Sequence, residues 1–513
     1  MFFSCKNSTD IIIKPDLSET DFIYIEDNIL KLKDEKYFPV MLNYIISCRY
    51  IDNEFVISPH VDYEKIGVFE TNTKDEIEDQ LRGHFQLIKE MGFNSIRLCF
   101  DRIGKNDDKY YYGADGEKFF INENYEKILN GLERAINIAE EKDLRVMLLI
   151  KAPINKDLED FTINILKKFK DNPVIFSYDF INEPLYFDEE PNRKKTDACK
   201  IVSGWKKMMN SYAPNQMMTI GFSEPIEVFE WDPALLPVDF IAFHTYHPLR
   251  VKNEIYWYSS YVNKPWMIGE TSLPAENDST SYEDQAMFMR DIYQYVLDCG
   301  GIGFGWWDFQ EAVYGNYEAK YTGILNHEGT TVTADGKHII IGTIKPAAKE
   351  IQNFSQYKPG EKVRPVNYFN MMGYNNILIK GKILDKKTKE PVEGAVIRGW
   401  NEWWSVGLNT FTDENGEFTI YSNDECVNFE ISAPKMTRIK FNQKLNYRNI
   451  TGIDYDIKNL PDQYLEYHNI SYVPFIKDSL YNSVFDFDKE KFYETKFVGE
   501  MGVLYLSTED ECK

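Results

Sequence analysis

No run of about 18 apolar residues occurs anywhere in this 513-residue chain, so the sequence contains no candidate membrane-spanning helix. Cysteine is scarce. The seven residues Cys5, Cys48, Cys99, Cys199, Cys299, Cys426 and Cys512 are scattered, odd in number, and never spaced C-x-x-C. That pattern predicts neither a disulfide framework nor a zinc site. Cys99, inside an apolar run, is expected to act as a small buried apolar side chain. Positive charge is also in deficit. The 58 Lys and Arg against 82 Asp and Glu give a net charge of −24. Nucleic acid is excluded as a partner, because its phosphates need a basic surface. A strongly acidic polymer is disfavoured as a substrate, whereas a neutral glycan is compatible. The bland reading of the charge is solubility.

The composition is rich in aromatics, with 34 Tyr, 34 Phe and 9 Trp making 15% of the chain, and 43% is hydrophobic. Such residues build cores, and in open clefts they stack on sugar rings. The length suggests more than one domain. At the N-terminus, Phe2-Phe3-Ser4-Cys5-Lys6-Asn7-Ser8 is too short to be a full signal peptide. It resembles the end of a bacterial lipoprotein signal, where cleavage leaves a lipidated Cys. That resemblance implies an exported protein, periplasmic or at the cell surface, tethered to a membrane through Cys5.

Eight apolar, strand-like runs recur along the chain: Phe38–Ile46, Ser95–Phe100, Arg145–Ile150, Ile175–Glu183, Met218–Glu224, Phe240–Tyr246, Pro265–Glu270 and Gly303–Phe309. Near-continuous apolar strands are those of a parallel sheet buried on both faces. Between them lie helical stripes spaced by three or four: Ile77, Leu81, Phe85 and Ile88; Tyr125, Ile128, Leu132, Ile136 and Ala139; Phe161, Ile165 and Phe169. Further helices are expected over Lys195–Tyr212, Tyr282–Cys299 and Pro346–Phe354. Eight alternating units predict a (β/α)8 TIM barrel. The competing fold, an open doubly wound sheet, lacks its Gly-rich loop after the first strand.

Alternation along each strand sorts side chains between lumen and helices. In the fourth strand Phe176, Tyr178 and Phe180 should face the helices, leaving Ser177, Asp179 and Glu183 inward. The inward set becomes Arg97, Glu183, His244, Tyr246 and Trp307, with Glu270 sharing the parity of Trp266 and Ile268 and thus a weaker member. Glu183 ends a strand just before Pro184, which cannot continue a ladder; Glu270 ends another. Two carboxyls at strand tips suit glycoside hydrolysis. With retention, they stand about 5–5.5 Å apart, one protonating the leaving oxygen and the other attacking the anomeric carbon. The donor needs a raised pKa and the nucleophile must stay ionised. Glu183 is read as acid/base and Glu270 as nucleophile. Arg97 would keep the nucleophile charged, Tyr246 would hydrogen-bond it, Asn182 would hold the sugar 2-hydroxyl, and Trp307 would floor the site. Taken singly, Arg97 reads as an ion-pair member, and His244 and Trp307 as core. Their joint arrival at successive strand tips favours a site. Glu224 also ends a strand and competes with the pair.

At this point the sequence resembles the clan A glycoside hydrolases, most closely family 5, the cellulase and mannanase group. The matching pieces are Asn94-Ser95-Ile96-Arg97-Leu98, Asn182-Glu183-Pro184, His244-Thr245-Tyr246, Gly269-Glu270 and Trp307-Asp308-Phe309. The resemblance implies retaining hydrolysis of β-linked glycans without cofactor or metal. It also implies that Arg97, Asn182, His244, Tyr246 and Trp307 line the subsite where cleavage occurs. One departure concerns the third strand. Many family members carry a substrate-touching His at its tip, where this chain has Ile150-Lys151-Ala152-Pro153. Lys151 has inward parity and either meets a charged or modified sugar or forms a solvated rim, the latter being favoured.

The expected organisation is an N-terminal leader or extension over 1–36, the barrel over 37–357, a linker over 358–376 containing Pro359-Gly360 and Pro365, and a β-sandwich over 377–513. Past the linker the period becomes two, and Asn415-Gly416 marks a hairpin turn. The stretches Gly381–Asp385, Pro391–Val396 and Thr412–Phe418 resemble carboxypeptidase regulatory-like domains, which implies a transthyretin-like sandwich without catalysis. Trp400, Trp403 and Trp404 either form a sugar platform or pack against barrel or sandwich, packing being favoured. Two other functions remain in play: a carbohydrate-binding barrel without activity, which would ordinarily have lost one carboxylate, and a lyase or aldolase, which would need a metal cluster or a Schiff-base lysine such as Lys151. The expected partner is an oligosaccharide or polysaccharide. Sugar, linkage and oligomeric state stay open.

Overall fold

The computed structural model describes residues 17, 20–60, 73–100, 109–113, 116–154, 156–190, 192–278, 280–313, 320–365, 376–404, 407–459, 495–509 and 512. Cys5 and the lipoprotein-like segment lie outside them.

Eight parallel strands close into a barrel: β1 (Val40–Ile51), β2 (Ser95–Cys99), β3 (Arg145–Leu149), β4 (Ile175–Asn182), β5 (Met217–Phe222), β6 (Ile241–His244), β7 (Trp266–Glu270) and β8 (Phe304–Trp306). Each pairs with the next in sequence, and β8 closes on β1 through Phe304 opposite Val40 and Trp306 opposite Leu42. All eight strands coincide with the expected runs. β1 runs further than expected, its end folding back on Glu54–Pro59 through Asp52 and Asn53, both at positive φ, as a tight hairpin requires.

The helices are α1 (Lys74–Glu90), α2 (Ile121–Glu141), α3 (Lys156–Phe169), α4 (Pro184–Phe187), α5 (Lys195–Tyr212), α6 (Val251–Tyr261), α7 (Tyr282–Asp298) and α8 (Ala347–Asn353). Their apolar stripes cover the outside of the barrel, as the spacing of three and four predicts. Capping boxes start α1 (Thr73 with Glu76) and α7 (Ser281 with Asp284), satisfying N–H groups that a helix start leaves unpaired. After β5 the chain makes only a 3-10 turn, Pro225–Phe229.

The N-terminal end of the lumen is apolar. Met41, Met147, Phe176, Met217, Phe240, Ala242 and Met267 pack there with Ile23, Leu30 and Ile302. Ile23 and Leu30 come from a segment around a small antiparallel sheet (Tyr24–Glu26, Ile29–Leu32, Glu35–Lys36) that plugs this end. Phe176 corrects the alternation argument, which sent it toward the helices. The β3–β4 register shifts between Ile175 and Ser177, and an irregularity of one residue reverses which face a side chain occupies.

The C-terminal region is an all-β sandwich of two four-stranded sheets. Its strands are β9 (Ile377–Asp385), β10 (Val396–Trp400), β11 (Gly407–Phe411), β12 (Glu417–Ser422), β13 (Asn428–Ser432), β14 (Ile439–Asn442), β15 (Tyr447–Asn449) and β16 (Phe497–Leu506), in orders β12-β9-β16-β15 and β11-β10-β13-β14. The sandwich packs on the barrel beside α5 and α6. The buried Trp257 indole donates to the Gly394 carbonyl at 2.9 Å, and the buried Lys195 ammonium bridges Asp232 (2.8 Å) and the Met436 carbonyl (2.7 Å). Cys199 of α5 is disulfide-bonded to Cys512, their Cα atoms 5.4 Å apart. Scattered spacing predicted no disulfide framework, and a single bridge spanning 313 residues leaves no local trace in sequence. Packing was also the expectation for the three tryptophans of the β10–β11 turn. It holds for Trp400, which is buried, and in part for Trp404, which stacks on Trp400 while 54% exposed, and fails for Trp403, which is 80% exposed.

Candidate active site

The opposite end of the lumen is polar and centres on Arg97, fully buried on β2. Its guanidinium donates Nε and Nη2 to Asp179 Oδ2 (2.9 and 2.7 Å), Nη2 to Asn182 Oδ1 (2.8 Å), Nη1 to Asn43 Oδ1 (3.1 Å), and Nη1 to Glu270 Oε1. Burial alone would discharge it, but the Asp179 and Glu270 carboxylates outweigh that penalty and hold it firmly protonated. Five donors in a rigid fork let one side chain fix four others.

Glu270 ends β7, where period-two alternation gave it doubtful parity. The register against β6 shifts between Ile268 and Glu270. That shift turns Glu270 inward, although Trp266, of the same parity, packs against Phe243 on the outside. The Tyr246 hydroxyl donates to Glu270 Oε2, and the Thr245 N–H donates to the Glu270 carbonyl at 3.0 Å. A second shift, between Asp179 and Asn182 on β4, brings Asn182 to Arg97 against simple alternation.

Glu183 follows directly and has left-handed backbone, φ 42° and ψ 68°. Such a conformation is costly for a residue with a β-carbon, and the following Pro184 restricts it further. Three contacts hold it. The Glu183 N–H donates to the Gly221 carbonyl at 2.6 Å. Glu227 Oε1 accepts from the Leu185 N–H at 3.1 Å and from the Ser223 hydroxyl at 3.0 Å, tying α4 to the chain after β5. Burial pushes the Glu227 carboxyl up to about 8, which favours its neutral form beside Glu183.

His244 links the two glutamates. Its Nδ1 lies 2.8 Å from Glu183 Oε1 and 3.5 Å from Glu270 Oε1. The ring fits between two strands only because residues 221 and 269 are glycine: a β-carbon at either would stand 2.9 Å from it. One donor atom each from Glu183, His244 and Glu270 lie within 4.8 Å of one another. That spacing would suit a cation, although the Arg97 guanidinium already places a positive charge on Glu270. Glu270 is buried, while the Glu183 side chain is 17% exposed.

The remaining expected residues fall as follows. Trp307 leaves β8 and is largely buried, its backbone N–H donating to the Thr271 carbonyl at 3.0 Å. Lys151 is buried beyond β3, its ammonium 4.9 Å from the centre of the Tyr111 ring, so it is not a solvated rim lysine. Glu224, the competing strand-tip acid, is paired with Arg250 at 3.0 Å. Sequence reasoning passed over Asn43, whose amide donates to the Gly269 and Trp306 carbonyls at 2.9 and 3.0 Å. It was visible as the one polar side chain amid the apolar start of β1. Asp179, inward by alternation but left out of the expected site, is what anchors Arg97.

No protein-family model matches this sequence, and no curated protein matches it. Solved structures that resemble it include an endo-1,4-β-mannanase from Rhizomucor miehei, at 14% identity and TM-score 0.44 over 65% of this chain and 99% of that one. Others are an exo-β-1,4-mannosidase from an Opitutaceae bacterium (13%, TM-score 0.45, 63% of this chain and 59% of that one) and a β-glucuronidase from Ruminococcus gnavus (15%, TM-score 0.42, 65% and 52%).

Proposed function

We propose that the chain is a retaining β-glycosidase in which Glu270 is the nucleophile and Glu183 the acid/base. The observation that carries this reading is the pair of strand-tip carboxylates facing one lumen, an oxygen of each within 4.8 Å of the other, closer than the gap an inverting enzyme leaves for water. Their surroundings differ in the way the two roles demand. Glu270 is buried against Arg97 and Tyr246, which stabilise its anion. Glu183 is partly open to the cleft.

In the first step a Glu270 oxygen bonds to the anomeric carbon as the glycosidic C–O bond breaks, and the Glu183 proton passes to the departing oxygen. In the second, water attacks the same carbon, its proton returns to Glu183, and Glu270 leaves as carboxylate. Because Asn182 Oδ1 is taken by Arg97, its NH2 group is the end available to a sugar hydroxyl. The substrate is a β-linked glycan of neutral sugars, cellulose-like or mannan-like, in keeping with the acidic chain.

The test is hydrolysis of aryl β-glycosides by wild type, Glu183→Gln and Glu270→Gln. Glu270→Gln should lose at least about 10³-fold on every substrate. Glu183→Gln should lose about 10²–10⁴-fold on poor leaving groups and far less on dinitrophenyl glycosides, which need no proton. Undiminished activity in either variant overturns the assignment.

A further inference from the structure

The end of β10 and the turn after it place three tryptophans within five residues. Trp400 is buried and stacks on Trp404, ring centres 4.6 Å apart and 21° from parallel. The Arg398 guanidinium lies 4.9 Å from the Trp404 ring and the Lys440 ammonium 5.7 Å from the Trp400 ring. This stack supports the outer end of the turn, where Trp403 is 80% exposed. Trp404 has φ 59°, a left-handed backbone that bulky side chains rarely adopt. Folding gains little from holding the Trp403 indole in water, and exposed apolar patches mark interaction sites.

The place of this turn narrows the ligand. Lys440 of β14, beside Trp400, also lies 3.5 Å from Asn192 Oδ1, and Arg438, just before β14, donates to Asn192 at 3.2 Å and pairs with Glu230 at 3.0 Å. Asn192 belongs to the connection between α4 and α5, and α4 begins immediately after Glu183. α4 itself exposes Tyr186 (57%) and Phe187 (48%). Exposed aromatics thus stand both on the helix that follows the acid/base and on the sandwich, and Asn192, Arg438 and Lys440 join the two parts. Flat apolar faces flanked by donors match a sugar ring, whose C–H face stacks while its hydroxyls bond. A nucleic acid would stack as well, but the net charge of −24 repels it.

We propose that Trp403 and Trp404 bind sugar rings of the glycan chain being cut, on the leaving-group side of Glu183, so that the sandwich is part of the substrate-binding surface. The direction of the chain rests on the glycosidase reading; the binding itself does not. The experiment is affinity electrophoresis of the full chain carrying Glu183→Gln in gels containing soluble mannan, xylan, mixed-linkage β-glucan or hydroxyethyl cellulose. At least one polymer should retard it. Adding Trp403→Ala and Trp404→Ala should weaken that binding about tenfold or more, and Trp403→Tyr alone should keep most of it. No retardation by any polymer, or equal retardation of the double variant, overturns the proposal. Aryl-glycoside hydrolysis by wild type separates the two readings. Trp-dependent binding without hydrolysis removes the glycosidase and keeps the platform; hydrolysis without Trp-dependent binding does the reverse.

Discussion

The two ends of the barrel use the same eight strands and fill the same lumen with opposite chemistry. At the N-terminal end Met41, Met147, Met217 and Met267 pack against Phe176 and Phe240, and flexible thioethers fill the space without directional demands. At the other end Arg97, Asp179, Glu270, Asn43 and Asn182 are as deeply buried, but each is held by a named partner. An apolar plug loses only volume when one member is truncated. A charged network loses balance, because removing one partner strands the others away from water. Order at the plug comes from shape, and order at the site comes from paired hydrogen bonds.

The sharpest way to break this comparison is to truncate both ends. Arg97→Met leaves the Asp179 and Glu270 carboxylates buried without their cation and should cost about 3–5 kcal/mol. Met267→Ala should cost about 2–5 kcal/mol by leaving a cavity while the folded fraction keeps its activity. Urea unfolding beside aryl-glycoside rates checks both, and a mild cost for Arg97→Met would show that the polar end is not held by charge balance. Gly269→Ala should have a smaller stability effect, about 1–3 kcal/mol from overpacking. Its new methyl would meet the His244 ring at about 2.9 Å, so activity should fall well beyond what the lost stability explains.

A further effect is read through pH. Glu227, buried and raised to about 8 from an ordinary 4.5, keeps its proton in the folded state where the unfolded chain has lost it. Its contribution therefore favours folding below about 4.5 and is lost progressively as pH rises toward about 8. Glu227→Gln, permanently neutral and still able to accept from Leu185, should gain stability relative to wild type across that window and level off above it. The gain is on the order of 1–4 kcal/mol at most. Melting temperatures of the two proteins from pH 5 to 9 check it; parallel curves would mean that Glu227 is ionised when folded.

Much of this was legible in sequence because buried parallel strands announce themselves as apolar runs and because Glu183 and Glu270 stand where those runs stop. Strict alternation failed at Phe176, Asn182 and Glu270, each beside a one-residue register shift, since a bulge depends on the neighbouring strand. β16 was equally hidden. It pairs in parallel with β9, Ile377 opposite Phe497, and no turn signal joins strands so distant in sequence. Trp403 and Trp404 looked like core because composition cannot report exposure.

Which carboxylate bonds to the sugar decides the mechanism. Incubating the protein with activated 2-deoxy-2-fluoro-β-glycosides of glucose, mannose and xylose, then mapping peptides by mass spectrometry, should find one glycosyl adduct on Glu270. An adduct on Glu183, Glu224 or any other residue would contradict it, as would turnover of the parent glycosides with inversion at the anomeric carbon.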